Sequence, residues 1–254
     1  MRLLPCSLLA TTLVAALASA PCARATLTID LEATTLNGFA LSGGNTPKNI
    51  SVSAGDVVTF QVFAWVTGAS GNASLEGLQR IAFKLRSSAG GGVFANFDSG
   101  VSFLPVFKAS GSLPGPATDG DFDTDLDVGA PGTVYTSGNA PTALASAMVT
   151  TGTPIADGQS FDLGTVSLTV ASVSAGPSVT VSPILLNSGF TPQIGIWQED
   201  GVERRLTTGG TLAAGVPVTL IPVIPAPEPG STALLALGAL GLLGRRRDFS
   251  TPRR

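Results

Sequence analysis

The sequence contains no histidine, and its only two cysteines, Cys6 and Cys22, fall within the first 22 residues. A histidine general base, zinc held by histidine or cysteine, and a disulfide framework in the body of the chain are therefore excluded. Charge is scarce too, at 12% of 254 residues, about half the usual share. With a pI near 4.9, the chain has no basic surface of the kind that holds nucleic acid. Between Thr26 and Leu220 no helix-length amphipathic pattern occurs. The best run, Pro141–Val149, is short and leads into Thr-Thr-Gly-Thr-Pro. What abounds instead is Gly (31), Pro (18) and 51 Ser and Thr.

Strand-length apolar runs bounded by Gly, Pro, Asn and Ser fill the middle of the chain. Thr26–Leu31 alternates with period two, as a half-buried strand does. Val57–Val66 (VVTFQVFAWV) is rich in β-branched and aromatic residues and reads as a central strand, which places Trp65 in the core. Leu78–Leu85 reads as a strand with Arg80 and Lys84 facing water. Val101–Phe107, Ala145–Thr150, Leu163–Val173, Ser178–Leu186, Ile194–Gln198 and Val216–Val223 complete nine or ten strands, with a long loop between Phe107 and Ala145. This pattern predicts an all-β fold, a two-sheet β-sandwich. Residues 52–58 (VSAGDVV) followed by Gly77-Leu78-Gln79 resemble the opening of cohesin-like sandwiches of secreted bacterial proteins. A jelly-roll is the other sandwich that fits.

The mean hydropathy of +0.38 is concentrated at the two ends. Arg2 precedes an apolar run, Leu8–Ala18, and then small residues, which is the layout of a signal peptide. Cleavage after Ala25 leaves Thr26 as the new terminus, whereas cleavage after Ala20 leaves Pro21, a poor substrate. A lipoprotein signal ending at Cys22 conflicts with Pro21. At the other end, Pro225-Ala226-Pro227-Glu228-Pro229-Gly230 leads into an uncharged stretch, Ser231–Gly244, and then Arg245-Arg246-Arg247. As a helix that stretch spans about 21 Å, short of the roughly 30 Å hydrocarbon core. The arginines stay cytoplasmic and leave the body of the chain on the far side. The arrangement describes a tail that is recognised and removed. The expected organisation is a signal helix over 1–25, a β-sandwich over 26–220, a Pro-rich linker over 221–229 and a transmembrane helix with a basic tail over 230–254.

Pro227-Glu228-Pro229, the Leu/Gly/Ala-rich helix and Arg245, Arg246 and Arg247 together resemble the PEP-CTERM sorting signal of Gram-negative bacteria. The seven residues after the arginines, Asp248–Arg254, are an extension of that pattern. The resemblance implies that an exosortase, a membrane-embedded cysteine peptidase, reads and cuts the tail after the export machinery has delivered the chain. It implies a transient inner-membrane intermediate and a final place at the cell surface or in the biofilm matrix, where exopolysaccharide is the expected partner.

The densest chemical feature of the middle is Asp119, Asp121, Asp123, Asp125 and Asp127, five carboxylates at alternate positions. Hard carboxylate oxygens suit calcium. The EF-hand pattern fails, however, because Leu126 stands where glycine is required and Gly132 where the last ligand belongs. A solvated acidic loop is the competing reading, and no other cofactor is implied. Glu199, Asp200 and Glu203 invite a carboxylate hydrolase, but Asp200-Gly201 is a favoured hairpin pair, and a charged turn explains them better. Serine is never set in a Gly-x-Ser-x-Gly elbow. Trp197, beside that turn, is the candidate ligand platform, and Asn72-Ala73-Ser74 is read as a chance match to the glycosylation triplet. Residues 26–229 hold seven Lys and Arg against sixteen Asp and Glu, a net of −9, which opposes nucleic acid and anionic headgroups. The expectation is an exported, non-enzymatic surface protein. The alternative is a carbohydrate- or ice-binding module, although the irregular spacing of Thr disfavours ice.

Overall fold

The computed structural model describes residues 26–68, 75–88, 90–110, 112–119, 122–129, 143–149, 152–186, 195–199, 201–205, 210–224 and 237–240. Contacts divide the chain into two units, Met1–Pro222 and Val223–Arg254. Among the described residues of the first, seventeen strands, numbered here in chain order, form two sheets.

The first sheet runs β11 (Thr153–Ile155), β12 (Gly158–Val173), β4 (Val57–Thr67), β1 (Thr26–Leu36) and β16 (Thr211–Ala214). The short strands β2 (Phe39–Ala40), β6 (Val93–Phe97) and β7 (Ser102–Phe103) join its flanks. The second sheet runs β15 (Val202–Arg205), β14 (Gly195–Glu199), β5 (Gly77–Ser87), β13 (Val179–Leu185), β17 (Val218–Pro222) and β3 (Asn49–Val52). Here β10 (Ala143–Val149) and the pair β8 (Ala117–Thr118) and β9 (Asp127–Val128) attach at β5. Most neighbours are antiparallel. Two are parallel, β1 with β16 and β3 with β17, so each sheet joins an early strand to a late one.

The all-β sandwich expected from the sequence is the fold observed. Its core lies between the sheets, where the inward phase of each strand meets. Leu27, Ile29 and Leu31 of β1 and Val58, Phe60 and Val62 of β4 pack with Phe83 and Leu85 of β5 and Val218 and Leu220 of β17. Burying such a side chain is worth about 1.5–3 kcal/mol. Turn chemistry follows the sequence. Asn37 and Gly38, both at positive φ (55° and 79°), close the β1–β2 hairpin. The Asn37 side chain then donates to the Asp56 carboxylate at 2.8 Å and accepts from the Val57 amide.

Several local expectations are corrected. Val101–Phe107 is not one strand: β7 ends at Phe103, and Pro105, at the first helical position, opens the short helix α1 (Pro105–Ala109). The segment after Phe107 is not a plain loop, since it contains the end of that helix together with β8 and β9. Lys84 does not face water. It is 1% exposed, and burial lowers its pKa, with the Arg86 charge adding to that and Asp127 opposing it. The strand expected over Val216–Val223 is β17, and it takes in Ile221 and Pro222, the first two residues of the expected linker, through their pairing with β3. Residues 1–25 lie outside the described residues. In the second unit 237–240 are helical, and among the described residues no helix is long and apolar enough to cross a membrane.

Candidate functional site

Strand β4 alternates without a break. Val58, Phe60, Val62, Ala64 and Val66 point into the core, so Thr59, Gln61, Phe63, Trp65 and Thr67 share the outward phase. Trp65 is therefore not a core residue, as its apolar run suggested. It stands half-buried on the outer face of the first sheet, two positions from Phe63. The cross-strand register sets its neighbours. Trp65 lies between Thr28 of β1 and Ser160 of β12, with Thr153 of β11 one strand further. Phe63 lies between Asp30 and Asp162, and Gln61 between Glu32 and Thr165.

One depression lies on this face and a second opens beside it at the margin of the sheet. One, of about 300 Å³, is lined by Glu32, Phe63, Trp65 and Ile155. The other, of about 310 Å³, runs from Asp162 to Leu104 and Val106 around α1 and is floored by Phe107, Phe161 and Val149 of β10. The two adjoin at Thr153 and Ser160, and the register sets Asp162 beside Phe63, so the outward rings stand in a trough with Glu32 on one flank and Asp162 on the other. Among the described residues no lysine or arginine lines either part.

Backbone irregularities aim these groups. A bulge between Asp162 and Gly164 inserts Leu163 and keeps both Asp162 and Thr165 on the outer face. Gly164 has a φ of 150°, and a Cβ there would collide with the Ser102 carbonyl of β7. The Asp162 carboxyl accepts a hydrogen bond from Gln61. Burial raises its pKa, while the Gln61 bond and the Gly164 amide pull the other way. Asp30 shares the face but is closed off. It is 1% exposed and meets Lys48 Nζ at 2.7 Å, and that ammonium also donates to the Val216 carbonyl at 3.1 Å.

The acidic segment is built differently. Asp119 holds its own loop: Oδ1 accepts the amides of Phe122 (2.6 Å) and Asp123 (3.2 Å), and Oδ2 accepts that of Thr124 (3.2 Å). These bonds fix Phe122 and Thr124 at positive φ, 69° and 83°, and leave the Phe122 ring 78% exposed. Asp123 accepts the Asp125 amide at 3.3 Å. Asp125 accepts from the Ser87 hydroxyl, and Asp127 takes the Ser87 amide at 3.1 Å while its other oxygen lies 3.6 Å from Arg86 Nε. Asp125 is 5% exposed, and its pKa is raised to about 7. Burial is the largest cause, followed by the opposing Ser87 bond and then by Asp123 and Asp127. Asp121 lies outside the described residues. Among the described residues no group of three or more acidic side chains converges to hold a metal ion.

The charged hairpin is a hairpin. β14 and β15 pair with Glu199 opposite Val202, and Gly201 takes a φ of 74°. Glu203 is engaged by Arg205 at 2.6 Å, and Asp200 lies outside the described residues. Trp197, the expected platform, is fully buried. A register shift between Ile196 and Trp197 turns the indole inward, where a Cβ at Gly210 would strike its ring. The two tryptophans thus exchange the roles their sequence neighbourhoods suggested. The trough residues Glu32, Phe63, Thr153, Ser160 and Asp162 were not singled out from the sequence. The available signal was parity, since Phe63 and Trp65 share their phase with Thr59, Gln61 and Thr67.

Comparison with known proteins adds one specific result. No curated protein matches the chain. A solved structure titled as a complex of a CaDoc0917 variant with CaCohA2 at pH 5.5 is similar at 11% identity and a TM-score of 0.33, covering 78% of this chain and 99% of that one. Residues 225–247 match the family model of the PEP-CTERM protein-sorting motif. Pro227, Glu228, Pro229, Arg245, Arg246 and Arg247 all lie within that match and outside the described residues. The chain carries a PEP-CTERM sorting motif and is an exported substrate for exosortase processing, delivered through a membrane-anchored intermediate.

Proposed function

We propose that the protein is a non-enzymatic component of the cell surface or extracellular matrix, whose β-sandwich acts by binding and whose partner outside the cell is exopolysaccharide. The observation that carries the reading is the sorting motif at 225–247 attached to an acidic, cysteine-free sandwich. The geometry favours binding over hydrolysis. Glu32 and Asp162 are the carboxylates that line the trough, on strands either side of β4 and one pair of residues apart along it. Phe63 and Gln61 stand between them, so the two carboxylates do not face each other across an empty cleft that could seat a scissile bond.

Mass spectrometry of the surface fraction tests the processing. The expected protein starts at Thr26 and ends near Pro227-Glu228-Pro229. The motif works by residue type: the prolines keep the cut site extended, and the arginines resist translocation. Intact peptides running from the sandwich through Arg254 would identify a permanent anchor and overturn the sorting step. Release of reducing ends from a polysaccharide by the purified protein would overturn the non-enzymatic reading.

A further inference from the structure

The trough on the outer face of the first sheet has an assignable occupant. Two half-buried aromatics stand two positions apart on the outward phase of one strand and line the same depression. The surrounding polar groups are acceptors or hydroxyls: the carboxylates of Glu32 and Asp162 and the hydroxyls of Ser160 and Thr153. Such a surface offers π faces to carbon-bound hydrogens and acceptors to O–H donors. A pyranose ring is built to match, with an apolar C–H face and an edge of hydroxyls that donate to carboxylates.

Charge removes the competitors. An acidic polymer, a nucleic acid or an anionic membrane would meet two carboxylates and, among the described residues, no cation in the trough, in a stretch (residues 26–229) of net charge −9. A second copy docking face to face would set Glu32 and Asp162 against their own like. A polycation would be attracted by the whole acidic surface, and its binding would not depend on the rings.

We infer that the trough formed by Phe63, Trp65, Glu32, Asp162, Ser160 and Thr153 is a binding face for a neutral, hydroxyl-rich polysaccharide. Sugar rings stack on Trp65 and Phe63 while their hydroxyls donate to Glu32 and Asp162. This deepens the proposed function, in that it rests on the sandwich acting by binding and names the class bound. It is separable from sorting, which is read in the mass of the tail rather than in polymer affinity.

Affinity electrophoresis of the full chain in a nonionic, sugar-free detergent provides the test. The gels contain hydroxyethylcellulose, dextran or galactomannan as neutral probes, glycol chitosan as the cationic probe and polygalacturonate as the anionic one. The expected result is retardation by at least one neutral polymer, weakened about tenfold in Trp65→Ala, the scale of one aromatic contact. Trp65→Phe should restore much of it. Because the chain has two tryptophans, Trp197→Phe leaves Trp65 as the sole emitter. Its emission should shift, and its quenching by acrylamide should fall, when the binding polymer is added. This measurement stands even if Trp65→Ala fails to fold. No retardation by any neutral polymer overturns the inference, as does retardation unchanged in folded Trp65→Ala with no response from Trp65 emission. Binding confined to glycol chitosan and abolished by salt would reassign the effect to bulk charge and overturn it equally.

Discussion

The trough and the Asp119–Asp127 segment both present carboxylates, yet they do opposite things with them. In the segment, Asp119 accepts three backbone amides, Asp125 and Asp127 share Ser87, and Asp127 faces Arg86. Its acceptors are turned on the chain itself. On the sheet face the carboxylates stand beside outward rings in an open depression, and Asp162 is steadied by Gln61 and the Gly164 amide. The density of acids along a sequence therefore says little about ligands. What matters is which acceptors remain available once the fold has taken its share.

Substitutions that separate stability from binding test this contrast. The largest effect is expected for Asp127→Ala, which leaves the Arg86 charge and the Ser87 amide without a buried carboxylate. The loss should be about 3 kcal/mol in urea unfolding, with polymer retardation retained while the protein is folded. Gly164→Ala should combine both effects, costing about 2 kcal/mol through the clash with Ser102 and weakening retardation by displacing Asp162. Asp125→Asn sharpens the segment's side of the comparison. The Asp125 carboxyl rises from its ordinary 3.8 to about 7 on folding. Between those values the folded protein holds a proton that the unfolded chain releases, so this contribution to stability is complete below about pH 4 and is lost as pH rises through 7. Asp125→Asn should flatten that slope and gain about 1 kcal/mol at pH 8. Calcium should produce the smallest effect. Calorimetric heat in the wild-type protein that vanishes in Asp121→Ala/Asp123→Ala would show the segment turning outward after all and would erase the contrast.

The sandwich was legible because strand and turn chemistry act over a few residues. Alternation in Thr26–Leu31, Asp56 after the Ala-Gly turn, and Asp200-Gly201 all report themselves locally. The tryptophans did not, because their exposure depends on other strands. Trp65 shares its phase with Thr59, Gln61 and Thr67, but Phe63 and the apolar residues on either side masked that parity. Trp197 was turned inward by a register shift against β5 that no neighbouring residue announces. Lys84 alternates as a solvent-facing residue should, yet the tertiary surroundings bury it. Pro105 could have been read as a helix start, but a helix of one turn carries too little periodicity to outweigh a strand-like run.

The two parallel pairings have a consequence for a chain that enters a new compartment N-terminus first. β1 waits for β16, and β3 waits for β17, across more than 160 residues in each case. Lys48 waits likewise for the Val216 carbonyl, 168 positions away. Neither sheet can close until residues near 220 have emerged, so the early strands cross with their edges open to any other strand. Loop closure over such spans is slow. Emergence of the last strands, rather than of any single hairpin, is thus the event that commits this domain to its fold, and a chain halted before β16 would hold β1 paired with β4 on one side and open, aggregation-prone, on the other.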